Sequence, residues 1–308
     1  MTKLPLALLA TVAAAALALT GCSGSDSVDE GAEAASSNLP TGDEVSTTAD
    51  PALTELLPAD IVESGVINIA VDIPFPPMAM YDENNREIGF DPELGRLLGQ
   101  KLGIDVSLNK QAFDSVIPSL QANKNDIIMS GMNDTPERQE TLSFVDYTHG
   151  GFAIAVKKGN PEGITTQRDL CGKTVSVQKA TVQGELLRAM DCGVDVMELP
   201  SDLDAQTALR AGKSQAYTAD AVVAEYVVAT TDDGEAFEIV RDAENPAGFN
   251  PVYSGIGVLK DDTELIEAVQ QALQALIDEG TYKEVLERNS IDAYAVKSAE
   301  VNQGADAS

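Results

Sequence analysis

The chain of 308 residues has no tryptophan, one histidine and three cysteines, and its 20 Lys and Arg stand against 50 Asp and Glu, a net charge of −30. Each scarcity argues against something. Without basic patches nothing holds a phosphate backbone, so a nucleic-acid partner is not expected. Docking on anionic lipid through charge is disfavoured for the same reason. A single histidine, His149, with no cysteine cluster leaves no zinc-type centre, and no Ser-His-Asp or Cys-His set is visible. No cofactor is expected. His149 follows Tyr147-Thr148 and precedes Gly150-Gly151, and reads as a loop residue. Long apolar runs are missing too. The one candidate, Leu4–Leu19, is too short and too rich in alanine for a good membrane span. The acidic excess reads as a solvated surface whose long-range field favours cationic solutes.

What is present begins at the N-terminus. Lys3 gives a sparse positive region, and the apolar run ends in Leu19-Thr20-Gly21-Cys22. This is a lipoprotein signal peptide pattern over residues 1–21, with Cys22 as the lipid-bearing residue. The alternative is an uncleaved anchor with an ordinary cysteine. Multiple acyl chains on Cys22 would suffice for stable attachment. The expected location is the cell membrane, lipid-anchored, on the extracytoplasmic face. Residues 22–60 are rich in Ser, Gly, Ala, Thr, Asp and Glu, with few large apolar residues before Leu53. They read as a flexible acidic tether, reaching roughly 30–35 Å on average. Residues 297–308 read as a second disordered end. Export leaves Cys171 and Cys192 as an even pair, so a disulfide is expected. It would close a loop of about 20 residues and contribute on the order of 3 kcal/mol.

Between the two ends, strand and helix patterns alternate. Strands are expected at Val66–Val71, Asp105–Leu108, Asp126–Ser130 and Phe152–Val156. Helices are expected at Pro92–Leu102, closed by Gly103, and at Phe113–Gln121. Val156–Pro161 reads as a linker. A second set follows, with strands Thr174–Gln178, Val194–Glu198 and Gln215–Thr218 and helices Val182–Met190, Ala205–Ala211 and Ala221–Ala229. Val252–Leu259 reads as a returning strand, and Glu264–Ile277 and Tyr282–Arg288 as helices. This alternation predicts an α/β fold with parallel-rich sheets flanked by helices.

The most informative segment runs from Asp126 to Arg138. Ile127-Ile128-Met129 ends as a strand, Gly131 follows, and Thr135-Pro136 reads as a helix start with Arg138 in its first turn. Such a helix end attracts an anion, and a guanidinium there can grip a carboxylate with two parallel bonds. Taken alone, Arg138 reads as a surface arginine paired with Glu137 or Glu140.

In context, Ser130-Gly131-Met132-Asn133-Asp134-Thr135-Pro136-Glu137-Arg138, followed by Leu142–Tyr147, resembles the substrate-binding proteins of ABC amino-acid importers, solute-binding family 3. The resemblance runs from about Gly65 to Tyr282 and includes Asp72-Ile73-Pro74-Phe75-Pro76-Pro77 and Gln178–Gln183. It implies a two-lobe clamp of the type II periplasmic-binding-protein kind, each lobe a mixed sheet flanked by helices. The implied lobes are 61–156 and 253–296 for the first and 157–252 for the second.

The resemblance also implies roles. Asp72 would face the ligand side chain, and Phe75 and Phe113 would be its apolar walls. On residues alone, Phe113 reads as a core staple and Asp72 as a turn former. Ser130, Gly131 and Asn133 would hold the α-carboxylate with Arg138. Asn133 stands where threonine or serine is usual, and Asp134 is expected to point to solvent. Thr181 would cap a helix or donate to the carboxylate, with Gln183 beside it and Ala180 in place of a usual glycine. Asp220 would pair the α-ammonium, or cap the helix from Ala221. The implied function is a monomeric, lipid-anchored receptor that delivers a basic or polar amino acid to a membrane permease. The alternatives are an enzyme of dehydratase type on the same scaffold, or a ligand sensor.

Overall fold

The computed structural model describes residues 45–241 and 247–305. The expected signal peptide, Cys22 and the first part of the expected tether lie outside the described residues. Helices α1 (Pro51–Thr54) and α2 (Ala59–Ser64) lead into β1 (Val66–Val71). Strands β2 (Met80–Tyr81) and β3 (Glu87–Ile88) form a small hairpin. Helix α3 (Phe90–Leu102) ends on Gly103, whose φ of 69° is the left-handed cap glycine tolerates. Then come β4 (Asp105–Lys110), α4 (Val116–Gln121), β5 (Ile127–Ile128) and the long β6 (Leu142–Lys157). The next stretch is β7 (Thr174–Gln178), α5 (Val182–Ala189), β8 (Asp195–Leu199), α6 (Asp202–Arg210), β9 (Ala216–Asp220), α7 (Ala221–Thr230) and β10 (Phe237–Val240). Strand β11 (Phe249–Leu259), α8 (Thr263–Glu279) and α9 (Thr281–Arg288) close the fold.

The main sheet runs β4-β1-β5-β11-β6-β9-β7-β8, with β10 also on β6. Pairing is parallel at both ends and antiparallel where β11 and β6 meet. The result is a two-lobe clamp. One lobe is built on β4-β1-β5, the other on β9-β7-β8, and β6 and β11 run through both. In the first lobe α3 packs on α8, burying Leu94, Leu97 and Leu98 in one core with Leu265, Leu273 and Leu276. The disulfide joins Cys171 and Cys192, with Cα atoms 5.2 Å apart.

The structure corrects several sequence expectations. The chain does not begin its fold at residue 61. Thr47 N donates to Gln100 Oε1 at 3.1 Å, and Leu53 and Leu57 are buried in the main core. Leu53, Leu57 and Ile61, spaced four residues apart in a polar segment, suffice to anchor two short helices. The C-terminal residues up to Ala305 are ordered as well. Asn302 exchanges two bonds with the Phe144 backbone, at 2.8 and 3.0 Å, and Val301 bridges Val145. The strand expected at Phe152–Val156 belongs to the longer β6, and the expected linker Val156–Pro161 lies at its far end. The change of partners comes earlier, where Gly150 pairs Val252 and Phe152 pairs both Phe249 and Asp220. His149 is therefore a strand residue. Its ring lies 4.3 Å from that of Tyr253, and burial lowers its pKa.

Candidate functional site

The cleft is built from loops that leave the carboxyl ends of β1, β5, β7 and β9, the usual place for a ligand in such sheets. Asp72 follows β1 directly. Its backbone N donates to Ser130 Oγ at 3.0 Å, which ties the β1 and β5 loops together. Ser130 Oγ in turn donates to Ala70 O at 3.3 Å. Gly131 sits at φ +56°, and a Cβ there would meet Phe75 Cε1 at 2.9 Å. Only glycine fits both constraints. Its N–H donates to Asp91 Oδ2 at 3.0 Å and Tyr147 Oη at 3.1 Å, two buried groups on the core side.

The expected helix at Thr135–Pro136 is a single tight turn, Arg138–Glu140. Thr135 Oγ1 accepts from Arg138 N at 3.3 Å, and no helix follows to supply a dipole. Arg138 is instead aimed by its own loop. Its Nη1 donates to Asn133 O at 2.8 Å, its Nη2 to Ala180 O at 3.1 Å, and its guanidinium lies 5.6 Å from the Phe113 ring. Asp134 does not face solvent. Its carboxylate accepts from Gln139 Nε2 at 2.7 Å and from Gly304 N at 2.7 Å, so the ordered C-terminus covers it.

The second lobe closes on this wall. Gln178 Nε2 donates to Asp72 Oδ2 at 2.7 Å, and Asn133 Nδ2 donates to Asp220 Oδ1 at 2.9 Å. The Lys179 ammonium pairs Asp114 at 2.8 Å across the rim. Thr181 makes no side-chain cap to α5; its hydroxyl donates to Gln178 O at 2.7 Å. Asp220 likewise makes no side-chain cap to α7, because its carboxylate turns to Asn133. Phe75, Phe113, Gly131, Asn133, Thr181, Gln183 and Asp220 all line one cavity. Gln183 is buried, and its Oε1 has no hydrogen-bond partner among the described residues.

Burial governs the charges. It pushes the carboxyls of Asp72 and Asp220 up to about 6, against hydrogen bonds from Gln178 and Asn133 that favour ionisation. It also lowers the Arg138 pKa, although a guanidinium stays charged. The site thus presents a cation and an acid from facing lobes, bridged by Asn133.

Of the ten binding residues expected from sequence, Asp72 meets the second lobe through Gln178, and Ser130 lies one step behind the cavity wall. Phe113 serves both the cavity and an apolar cluster with Val116 and Leu120, so the two readings of it are compatible. Sequence reasoning missed Gln178, the Asp91–Tyr147 pair behind Gly131, and Asp202. Asp202 opens α6, which the sequence reading started three residues late. The available signal was Ser201, whose hydroxyl accepts from Asp204 N at 3.1 Å as a helix cap does.

Comparison with known proteins gives a consistent picture. Residues 67–290 match the bacterial extracellular solute-binding proteins, family 3. The ABC transporter arginine-binding protein 1 of Escherichia coli is 30% identical over 220 residues, 71% of this chain and 88% of its own length. The L-cystine-binding protein TcyJ of E. coli is 29% identical over 229 residues, 74% and 84% of the two chains. Among solved structures, an ancestral arginine-binding protein bound to arginine superposes with a TM-score of 0.67 at 33% identity, covering 73% of this chain and 97% of that one.

Proposed function

The chain belongs to the bacterial extracellular solute-binding proteins of family 3, and from that premise we propose that it captures a basic or polar amino acid and delivers it to the permease of an ABC importer. It works as a monomer, lipid-anchored through Cys22 on the extracytoplasmic face. Relatives named for arginine and for cystine are about equally similar, and the acidic cleft makes the cationic arginine the first candidate ligand.

One observation carries the reading. Arg138 and Asp220 come from opposite lobes and reach the same cavity loop, Asn133. In this closed form the Arg138 Nη2 is satisfied by a neutral carbonyl, Ala180 O. A ligand carboxylate would replace that bond with a stronger charge-assisted one. The α-ammonium would take the place of Asn133 Nδ2 on Asp220. Phe75 and Phe113 bracket the side-chain stem, Thr181 and Gln183 close the cavity from the second lobe, and Asp72 faces the distal end. Ser130 and Gly131 act through the shape of the loop. Each lobe alone satisfies one pole of the zwitterion, so ligand contacts stabilise the closed clamp. The hinge lies where β6 and β11 change partners, near Gly150 and Val252.

A thermal-shift screen of the standard amino acids and ornithine tests this. A ligand at about 100 times its dissociation constant adds roughly 2.7 kcal/mol of stability. Arg138→Ala and Asp220→Asn are each expected to lose the shift while remaining folded. Binding retained by both variants would remove the zwitterion clamp from this cleft.

A further inference from the structure

Asp202 carries a charge that the zwitterion scheme does not use. It lines the same cavity as Phe75, Phe113, Gln178 and Asp220, yet lies at the first position of α6, away from the Arg138 loop. It is 1% exposed. Its Oδ1 accepts from Tyr217 Oη at 2.5 Å and its Oδ2 from Gln206 Nε2 at 2.6 Å. Both donors are neutral, and each carboxylate oxygen keeps a second lone pair. Asp72, on the facing lobe, accepts on Oδ2 from the neutral Gln178. The charge of Asp202 acts on both Asp72 and Asp220. Lys110 acts on Asp72 from a distance, and its ammonium lies 5.6 Å from the centre of the Tyr81 ring.

Charge balance then decides what the cavity wants. Three carboxylates, Asp72, Asp202 and Asp220, gather at the cleft; Arg138 acts on Asp220 and Lys110 on Asp72, while Asp202 is held by neutral donors alone. A zwitterion adds one charge of each sign and leaves the acidic excess untouched. Buried charges without a partner are costly, so the excess must be met by a cation on the ligand side chain. Asp202 on the cavity wall and Asp72 behind the wall residue Gln178 suit a planar group with donors on several edges. A guanidinium has five donors in a fixed fork and a flat face for aromatic rings, whereas an ammonium is a single point of charge.

Resting on the amino-acid reading of the cleft, we propose that Asp202 is the second-lobe carboxylate that joins Asp72 in receiving a guanidinium at the end of the ligand side chain. Asp202 is thus a specificity residue that also adds to closure, because its contact exists only when both lobes meet the ligand.

The test compares arginine with citrulline, which has the same shape and a neutral end, by calorimetric titration of the full mature chain. The wild type is expected to prefer arginine by at least roughly 30-fold, as befits a buried charge pair. Asp202→Asn keeps the size and an acceptor for Tyr217 while removing the charge. It should lose most of that preference by weakening arginine and sparing citrulline. Tyr217→Phe, which keeps the charge, should retain the preference. Should Asp202→Asn not fold, Asp202→Ser carries the same comparison. An unchanged arginine-to-citrulline ratio in the folded charge-removal variant overturns the proposal. An equal loss of both ligands also overturns it, since that marks a structural residue. A wild type that binds other amino acids without preferring arginine sinks this proposal alone. A wild type that binds no amino acid sinks the cleft reading with it.

Discussion

Ala180 occupies the place where the family pattern carries glycine, and its φ of +63° lies in the left-handed region. For a residue with a Cβ this conformation costs about 1–2 kcal/mol. The surroundings hold it there. Lys179 N donates to Leu199 O at 2.8 Å, and the Ala180 carbonyl receives Arg138 Nη2 across the cleft. Ala180→Gly should therefore raise stability by about 0.5–1 kcal/mol, the strain relieved less the extra freedom of glycine in the unfolded chain. Urea denaturation with an unchanged slope would measure it. A destabilised variant would mean that the methyl group packs favourably enough to outweigh the strain. Gly131 is the opposite case. A methyl there meets Phe75 as well as the φ penalty, so Gly131→Ala should destabilise the protein and displace an aromatic wall of the cleft.

Legibility in the sequence followed the strength of each element's own signal. Helix α8 was readable because Leu265, Val269, Ala272 and Leu276 recur at helical spacing between an Asp262 cap and Gly280. Strands β1 and β7 were readable as short apolar runs with turn residues beyond. From residue pattern strand β6 was legible only in its second half, its first half Leu142–Tyr147 entering through the family resemblance, because Thr148-His149-Gly150-Gly151 looks like a break while the sheet carries the backbone through. The cleft loops were legible through motif resemblance, but their internal bonding was not. Nothing local says that Gly131 N turns inward to Asp91, or that Gln178 reaches Asp72 across 106 residues. The C-terminal strap was invisible for the same reason. Its residues are small or polar and derive their order from distant partners: Gln303 N donates to Asp146 Oδ2 at 2.9 Å and Gly304 N to Asp134 Oδ2 at 2.7 Å. Asp134 adjoins Asn133, so the strap supports the cleft from behind. Ending the chain at Ser298 should cost at least about 2 kcal/mol, since two buried carboxylates lose backbone donors. It should also weaken ligand binding. Equal stability and affinity in the shortened chain would show that water replaces the strap without loss.

Taken as a whole molecule, the fold keeps an unusual number of acids away from water, and this sets its response to pH. Burial pushes Asp72, Asp202 and Asp220 up to about 6, Asp91 to about 7 and Asp146 to about 8, from an ordinary 3.8. Between about pH 4 and those raised values, the folded protein holds protons that the unfolded chain has released. Stability therefore falls as pH rises through that window, because the folded state must ionise groups that are better ionised in water. The stabilising contribution of these five groups is complete below about pH 4 and gone above about pH 8. The opposing groups are Asp82 and Glu279, lowered by hydrogen bonds from Arg86 and Lys101, and Asp169, held down to about 2 by four hydrogen bonds from Thr165 and Thr166; they act only in stronger acid. Self-repulsion among the surface acids, in a chain of net charge −30, adds to the trend as pH rises. Urea midpoints measured without ligand should rise steadily from pH 8.5 to about 5 and turn over below about 4. Midpoints that are flat or that climb toward alkaline pH would mean that these carboxylates ionise in the fold without penalty, through solvent reaching the cleft and the strap. A cationic ligand should flatten the profile, since it meets the cleft acids with a charge and removes their reason to hold protons. The slope left by Asp91 and Asp146, which lie outside the cleft, should persist.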